Sequence, residues 1–526
     1  MFVSHQSCCH EERVMSGETS LFSWCRLLFW SLLGATAHPG GYPLLAPILL
    51  VLALGGLFHE RQRGSPHLKT FIWGTTLGFG QLIWMATPTY VGTWCLVAAP
   101  MLGLAIGLQW MAWGRWGVWG SSPRALIQAG FLWALLEFSR ETWLWSGLGF
   151  GALSTVLTAL PTGILFANLF GHYGISWWIV TLGLLCWHHP RHLMTWCWSV
   201  LPFIYGALFT WVAQVHDSEP IRISAVQTGE HPAVPGSGPS LSERWLRLEH
   251  QLASIPASAP LSQSSHRPAH LIVLPESVLR LDLDQPLQEG PDPFTLDQYY
   301  ADWARRSGAT LIAGADWEDA RGYRTGQALY APDGTRLRAA KRRLLIGAEM
   351  VPYSWMKSLL QPFGYTESFV PADHPSEWPW EGGWLTPATC YESAFASDLR
   401  EACTNRSSLI VVSINDGWYA DSSLMEHHAA AAQLRAVELG RPILQASHNG
   451  ITGLWTPFGN CNARLNSAGT EVLDLECSCP RVPTPWVLWG HWGWLTLGVV
   501  SSLALAWRSL RIQPRSSNWS AMGYWA

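Results

Sequence analysis

Charge is what this 526-residue chain has least of. Asp, Glu, Lys and Arg make up 13% of it, about half the roughly 25% usual in a globular domain. With 33 basic against 37 acidic residues and a net charge of −4, no basic footprint exists for a nucleic-acid backbone, and nucleic acid is excluded as a partner. Metal spacing is missing too. The eleven cysteines are scattered, and in the polar part of the chain only Cys477 and Cys479 lie close together; a disulfide between such near neighbours would be strained. His427 and His428 adjoin, but neighbours on a helix point in different directions. The four ligands, or three plus water, that zinc requires do not assemble. No metal or other cofactor is expected, and no internal repeat is evident.

What the chain does have is apolar length and tryptophan. Apolar residues make up 48%, and there are 34 tryptophans. A membrane span needs about 20 apolar residues. Candidates lie at 21–37, 42–58, 70–87, 94–113, 125–145, 163–187, 193–215 and 487–507. Trp73, Trp84, Trp94, Trp110, Trp113 and Trp116 lie near the ends of these runs, where an amphipathic indole suits the headgroup layer. The expected architecture is therefore a polytopic α-helical membrane domain of about eight spans enclosing a polar α/β domain. The boundaries are 1–216 for the first seven spans, 217–486 for the polar domain, and 487–526 for the last span and a tail. Ala35-Thr36-Ala37 imitates a signal-peptidase site; cleavage there would leave the remaining topology unchanged, and the retained helix is the preferred reading.

Basic residues orient the spans. Arg61, Arg63 and Lys69 follow the second, Arg115 and Arg124 the fourth, Arg191 the sixth, and Arg508, Arg511 and Arg515 the last. The loops 38–41, 88–93 and 146–162 contain no Lys or Arg. This alternation predicts both termini in the cytoplasm and the polar domain outside the cytoplasmic membrane. Glu137 and Arg140, three apart on the fifth candidate, read as an ion pair with Glu141 in reserve, or else as the lining for a lipid headgroup.

Between 217 and 486 short β-branched runs alternate with helical stretches. Buried strands are predicted at 222–227, 271–275, 310–315, 385–389, 409–414 and 442–447, and helices at 241–255, 296–307, 391–402 and 425–439. Stretches 229–239 and 254–268, rich in Pro, Gly and Ser, read as insertions. Such alternation implies a layered α/β fold. Ligands in such folds bind at the carboxyl ends of strands, and two strands run directly into reactive residues, Glu276 and Cys390. Lys341 follows a hairpin closed by Ala331-Pro332-Asp333-Gly334.

Pro275-Glu276, Lys341 with Glu349 eight residues on, and Cys390-Tyr391-Glu392 resemble the nitrilase, or carbon–nitrogen hydrolase, superfamily. The eight-span frame narrows the resemblance to the apolipoprotein N-acyltransferase family of bacterial envelopes. Ser413-Ile414-Asn415-Asp416-Gly417-Trp418-Tyr419, the run from Arg435 to Pro442, and Asn449-Gly450-Ile451-Thr452 extend it. The resemblance implies a four-layer αββα sandwich and a Glu276–Lys341–Cys390 triad assisted by Glu349. It also implies an enzyme of the bacterial inner membrane, its catalytic domain periplasmic. The reaction would move an acyl chain from a membrane phospholipid donor to the amino terminus of a diacylglyceryl-modified apolipoprotein acceptor. Substrate contacts are expected from Tyr391, Glu392, Trp418, Tyr419 and Trp245, the aromatic pair at 418–419 reading equally well as packing. The family's usual Pro-Phe-Gly run before the second glutamate is Ile346-Gly347-Ala348 here, with the spacing kept.

The roles follow from thiol chemistry. An unperturbed thiol has a pKa of about 8.5, and the thiolate is the nucleophile. Glu276 can take the proton of Cys390, the Lys341 ammonium favours negative charge, and a thioester would follow by ping-pong chemistry. Two other classes compete. A membrane-tethered amidase with the same triad would need one anchor rather than eight spans. A transporter or a catalytically dead scaffold would be expected to lack a triad residue or to show broken, repeated helices.

Overall fold

The computed structural model describes residues 6–62, 65–86, 95–116, 120–143, 147–216, 218–230, 239–255, 269–287, 294–346, 348–351, 353–361, 369–419, 422–465 and 469–512. The loop read at 88–93, most of the insertions at 229–239 and 254–268, and Arg63, Trp94, Gly347 and Arg515 lie outside these residues.

Two mixed six-stranded sheets form the polar domain. The first has the order β12-β1-β2-β3-β4-β5 and the second β11-β10-β9-β8-β7-β6. In chain order the strands are β1 Ile221–Gln227, β2 His270–Val273, β3 Thr310–Asp319, β4 Gly322–Tyr330, β5 Arg336–Ala340, β6 Trp378–Trp380, β7 Gly383–Thr389, β8 Leu409–Ile414, β9 Ile443–Ser447, β10 Gly453–Trp455, β11 Cys461–Arg464 and β12 Glu471–Cys477. Alternation along each strand divides its side chains between two cores. In β8, Leu409 and Val411 meet Ile223, Leu271 and Val273 of the first sheet, while Ile410, Val412 and Ile414 face the outer helices. Burial on both sides explains the uninterrupted apolar run.

Helices Leu241–Ser254 and Leu296–Ser307 cover the first sheet, and Ala396–Ala402 and Leu424–Leu439 cover the second. Capping boxes start the first pair, Ser240 with Glu243 and Thr295 with Gln298. These satisfy amide donors that a helix start leaves free. The result is the αββα sandwich. The strand read at 310–315 continues to Asp319 because β4 pairs along its whole length. The helix read at 391–402 is instead a 3-10 turn, Cys390–Ala394, followed by the short helix Ala396–Ala402.

Helices occupy all eight apolar candidates, but among the described residues two are long and apolar enough to cross a membrane by length and composition: Leu96–Trp116 and Leu193–Val212. Helices Ala46–Arg61 and Pro66–Gln81 have 16 residues each, about 24 Å at 1.5 Å per residue, against a hydrocarbon core of roughly 30 Å. The candidate at 163–187 is not one straight helix. Pro161–Phe170 and His172–His188 meet at 113°, and Gly171 turns the corner with φ +69°, a conformation that favours glycine. Counted as one broken span, this pair makes a third.

Four of the tryptophans read as interfacial are interior. Trp73, Trp84, Trp110 and Trp113 are buried, whereas Trp116 is exposed. Trp110 stacks on Trp133 with centroids 3.8 Å apart and meets Trp73 edge-on at 4.8 Å. Helices Pro66–Gln81 and Cys95–Trp116 approach closely because small residues line their contact. A Cβ on Gly74 would lie 2.5 Å from the Trp110 side chain, and one on Gly107 2.0 Å from Thr75 Oγ1. Small residues at a helix contact leave room for large rings beside it.

The helical part docks on the outer helices of the second sheet through a shared core. Phe131, Phe138, Tyr173, Trp486 and Trp494 pack with Ala432, Ala436 and Leu439. Buried charges cross the same boundary. Glu137 and Arg140 do not form the expected ion pair: Glu137 accepts from the Leu153 amide at 2.9 Å, and Arg140 donates to Gln109 at 3.3 Å. Glu141 approaches His172 at 3.2 Å and accepts from the Ala396 amide of the sandwich at 2.9 Å. In return, Glu438 of the sandwich accepts from the backbone amide of His172. Arg435 ties the set together, donating to Glu438 at 2.9 Å and to the Ala394 carbonyl at 3.0 Å. Arg435→Met should cost about 3–5 kcal/mol, the usual loss when one partner of a buried charge pair is removed. Thermal unfolding in detergent micelles would then show a lower midpoint, with earlier proteolysis between sandwich and helices.

Candidate active site

Three strand ends build the site. Glu276 follows β2, Lys341 ends the β4–β5 hairpin, and Cys390 ends β7. Parallel pairing of β2 with β3, and of β7 with β8, sends the first and last of these out at the carboxyl ends of their sheets. A clamp joins the sheets just below: Gln327 of β4 donates to the Ala388 and Val411 carbonyls at 2.6 and 3.2 Å.

Close packing positions Glu276. A Cβ on Gly314 would stand 2.4 Å from the Glu276 Cα, so β3 must present glycine there. The Ser277 amide donates to the Gly314 carbonyl at 3.0 Å, and its hydroxyl to Asp316 at 2.8 Å. His448 binds the Glu276 carbonyl through Nε2 and Thr228 through Nδ1; burial pushes its imidazole down to about 4, so the ring stays neutral. Ser277 and Cys390, two non-glycine residues, adopt left-handed backbone, with φ +48° and +51°. Such residues cost of order 1–3 kcal/mol each and persist where surroundings enforce them. At Cys390 the enforcing group is Glu392, whose carboxylate accepts from the Thr389 and Arg342 amides, both at 2.7 Å.

Lys341 is fully buried, its Nζ 2.6 Å from Glu349 and 3.7 Å from Glu276. Burial opposes its charge, but the two carboxylates outweigh this and hold the ammonium above the usual lysine range. Glu349 also accepts from the Leu345 amide at 2.7 Å, so the altered run before it still brings it to the lysine. Burial raises Glu276 to about 7; Lys341 opposes the rise while Glu349 and Asp316 add to it. The Cys390 thiol, hydrogen-bonded to Glu276, is pushed well above the ordinary thiol value by burial and the Glu276 charge, against the pull of Lys341. A preformed thiolate is therefore not the resting state. The arrangement is a neutral thiol beside a base poised near neutrality, which suits general-base attack.

The expected substrate contacts divide. Trp418 is half-exposed, on the turn after β8 beside the β7 end. Tyr419 is buried and edge-on to Trp84 of the helical part, centroids 5.3 Å apart. Tyr391 is buried, its hydroxyl accepting from the Gly149 amide at 3.2 Å. Glu392 spends both oxygens on backbone amides, a positioning role that its residue type does not advertise. Trp245 lies on the outer helix over the first sheet, packed 4.4 Å from Tyr299, not among the triad residues. Gly314, His448 and Asp416 were not singled out by sequence. Asp416 is buried against His428 and adds to the field on Cys390; its signal was its place in the 413–419 run at a strand end.

Glu276 must be ionised to accept the thiol proton, so the rate should rise about tenfold per pH unit below 7 and level off above it. Glu349 raises Glu276, so Glu349→Gln should move that acid limb to lower pH while reducing the plateau; a pH–rate profile of the acylation step reads both. Gly314→Ala should lower kcat at least tenfold by displacing Glu276, with a stability loss of about 1–3 kcal/mol for an overpacked position, measured by turnover and thermal melting together.

Residues 233–478 match the family model for carbon-nitrogen hydrolases, and residues 31–185 match the model for the apolipoprotein N-acyltransferase N-terminal domain. Similar proteins include the apolipoprotein N-acyltransferase of Methylococcus capsulatus, 25% identical over 86% of this chain and 90% of the relative. That of Shewanella oneidensis is 25% identical over 88% and 92%, and that of Chlamydia caviae 24% over 90% and 92%. One model covers the helical part, a second covers the sandwich that carries the triad, and the relatives align along nearly their whole length: the chain belongs to the apolipoprotein N-acyltransferase family.

Proposed function

We propose that this enzyme takes an acyl chain from a membrane phospholipid, holds it as a thioester on Cys390, and passes it to the N-terminal amine of a diacylglyceryl-cysteine on an apolipoprotein. One observation carries the reading: the Glu276–Lys341–Cys390 cluster opens at a turn whose next residues, Tyr391, Ala394 and Phe395, belong to the same apolar core as the membrane-type helices.

Glu276 takes the Cys390 proton as sulfur attacks the ester carbonyl. The oxyanion forms against the Lys341 ammonium and the backbone N–H that follows Cys390, donors already oriented before the charge develops. Lys341 keeps its proton throughout, because its own equilibrium lies above the usual range. Collapse breaks the ester C–O bond, the leaving alkoxide takes the proton back from Glu276, and a lysophospholipid departs. In the second half the amine attacks the thioester, Glu276 accepts its proton, and the amide forms as the thiol is restored. A thioester suits a compartment without ATP, since it preserves the activation of the ester. Water competes for it, so exclusion of solvent matters; half-exposed Trp418 and the Tyr419–Trp84 contact would line the mouth.

The same reading makes the chain a multi-pass protein of the bacterial inner membrane with eight spans, cytoplasmic termini and a periplasmic sandwich. Arg26, Glu60 and Lys69 support the arrangement of the first three helices. Arg26 and Ser23 bond the Glu60 carboxylate, and Lys69 donates to Ser23 and to the Glu60 carbonyl, both at 2.7 Å. These basic ends therefore lie together on the side assigned to the cytoplasm.

Incubation with phospholipid alone should leave an acyl adduct on Cys390, visible by mass spectrometry and discharged by a lipopeptide amine. Cys390→Ala should form neither adduct nor product while remaining folded. Product formation without any acylated cysteine would overturn the two-step scheme.

A further inference from the structure

Behind the second sheet lies a cavity of about 280 Å³ lined by His216, Asn405, Arg441, Arg481, Pro483, Thr484, Val487 and Leu488. It sits where the chain leaves one membrane-type helix and enters another. His216 follows Leu193–Val212, and Val487 and Leu488 belong to the first turn of Pro485–Ile512. The two approaches are stitched together, for the His216 amide donates to the Arg481 carbonyl and the Arg481 amide to that of His216, each at 3.0 Å.

Two guanidinium groups line this space, and among the described residues no carboxylate does. Arg441 is buried, its Nε donating to the Ser407 carbonyl at 2.7 Å and its Nη1 to the Gly440 carbonyl at 3.0 Å. Arg481 Nη1 donates to the Asn405 carbonyl at 3.2 Å. Each guanidinium has five N–H donors in a planar fork, so both retain donors beyond these bonds. Glu377, the carboxylate that acts on Arg441, is engaged by the hydroxyls of Thr404 and Ser407. Burial lowers the Arg441 pKa and Arg481 lowers it further, while the Cys403 thiol and Glu377 act the other way. Two like charges sharing a cavity are relieved by an anion between them, and a planar fork matches phosphate oxygens.

Apolar surface continues from the mouth. Leu488 is 68% exposed, Trp489 54% and Trp492 68%, and at the end of the helix that leads to His216 Trp211 is 83% and Val212 61% exposed. A cationic pocket opening onto apolar flanks at a membrane boundary has the two-part chemistry of a lipid: an anionic head and hydrocarbon tails. We propose that this cavity binds the phosphate of a membrane phospholipid, with the acyl chains lying along Leu488, Trp489, Trp492 and Trp211. It is separate from the triad. β7, β8 and β9 are parallel; Cys390 follows the carboxyl end of β7, and Arg441 precedes the amino end of β9. By the strand register these lie about six residue rises apart, roughly 20 Å. The inference does not depend on acyl transfer.

The test uses the full-length protein in nanodiscs carrying a photoactivatable phosphatidylglycerol with its diazirine next to the headgroup, and crosslinked peptides mapped by mass spectrometry. Crosslinks are expected in residues 481–492 and around Trp211. Arg481→Gln should reduce them about tenfold, with Arg481→Lys retaining more. Asn405→Asp, which adds a carboxylate to the wall without removing a backbone contact, should reduce them as well, so the test survives if Arg481→Gln unfolds on melting. Absence of these crosslinks in the unaltered protein, or equal yields in folded Arg481→Gln and Asn405→Asp, would overturn the site. Full competition by millimolar inorganic phosphate would overturn the lipid assignment in favour of a soluble anion; undiminished crosslinking in its presence supports the lipid.

Discussion

A buried ammonium fixes the chemistry of this enzyme. Lys341 is buried away from bulk solvent, so its charge is held by carboxylates, Glu349 at 2.6 Å and Glu276 at 3.7 Å. Two anions around one cation leave the cluster with an excess of negative charge when all are ionised. Burial, helped by that negative charge, lifts Glu276 to about 7 and the thiol well above its ordinary range. Sulfur and carboxylate thus share one removable proton. A permanently ionised sulfur would be open to any electrophile or oxidant that reached it. Holding the thiol neutral until a carbonyl arrives against the Lys341 ammonium restricts reaction to a substrate that brings its own developing charge.

Glu349 separates from Glu276 in function because of backbone geometry. Its second oxygen is tied to the Leu345 amide, which anchors it as a counter-ion. The Glu276 carboxyl bonds the thiol of Cys390 instead, on a backbone that Gly314 and Ser277 hold. Both glutamates keep the lysine charged, but only Glu276 is placed to receive the thiol proton. The distinction is set by which amides each can reach, not by residue type.

That Glu276, Lys341 and Cys390 come together was legible because strand ends and motif spacing are local signals. Glu276 and Cys390 each close an apolar run, and Lys341 follows a turn marked by Pro332 and Gly334. The sandwich was legible for a similar reason, since runs such as Leu409–Ile414 are apolar on both faces. Less local features were misread. Trp73, Trp110 and Trp113 look interfacial by position, yet all three are buried, and Gly74 of the neighbouring helix makes room for Trp110 inside. Glu137 and Arg140 look like a pair by spacing, yet their partners come from other elements. Glu392 looks like a ligand, but its function is to hold Cys390 in a left-handed backbone. Strands β6, β10 and β11, at the two ends of the second sheet, are three or four residues long, too short for periodicity to register. In each case the deciding contact comes from tertiary packing that spacing cannot reveal.

The break at Gly171 shows how the soluble and membrane halves become one body. A helix turning by 113° leaves backbone amides without internal partners at its new start. Here Glu438 of the sandwich accepts from the first of them, and Arg435 neutralises the glutamate. Gly171 itself is pressed against the last helix, since a Cβ there would lie 2.9 Å from Trp486. The Trp486 and Val487 carbonyls, which begin that last helix, accept from Arg400 of the sandwich at 2.9 and 3.0 Å. The broken helix is thus capped at its restart, and the carbonyls before the second break, at Gly490 with φ +55°, are met by Arg400, both from the layer that carries the second sheet. An intact helix at 163–187 would satisfy its own amides and give the sandwich nothing to hold. The helix break is thus one of the joints by which the sandwich that carries Cys390 is held against the helical part.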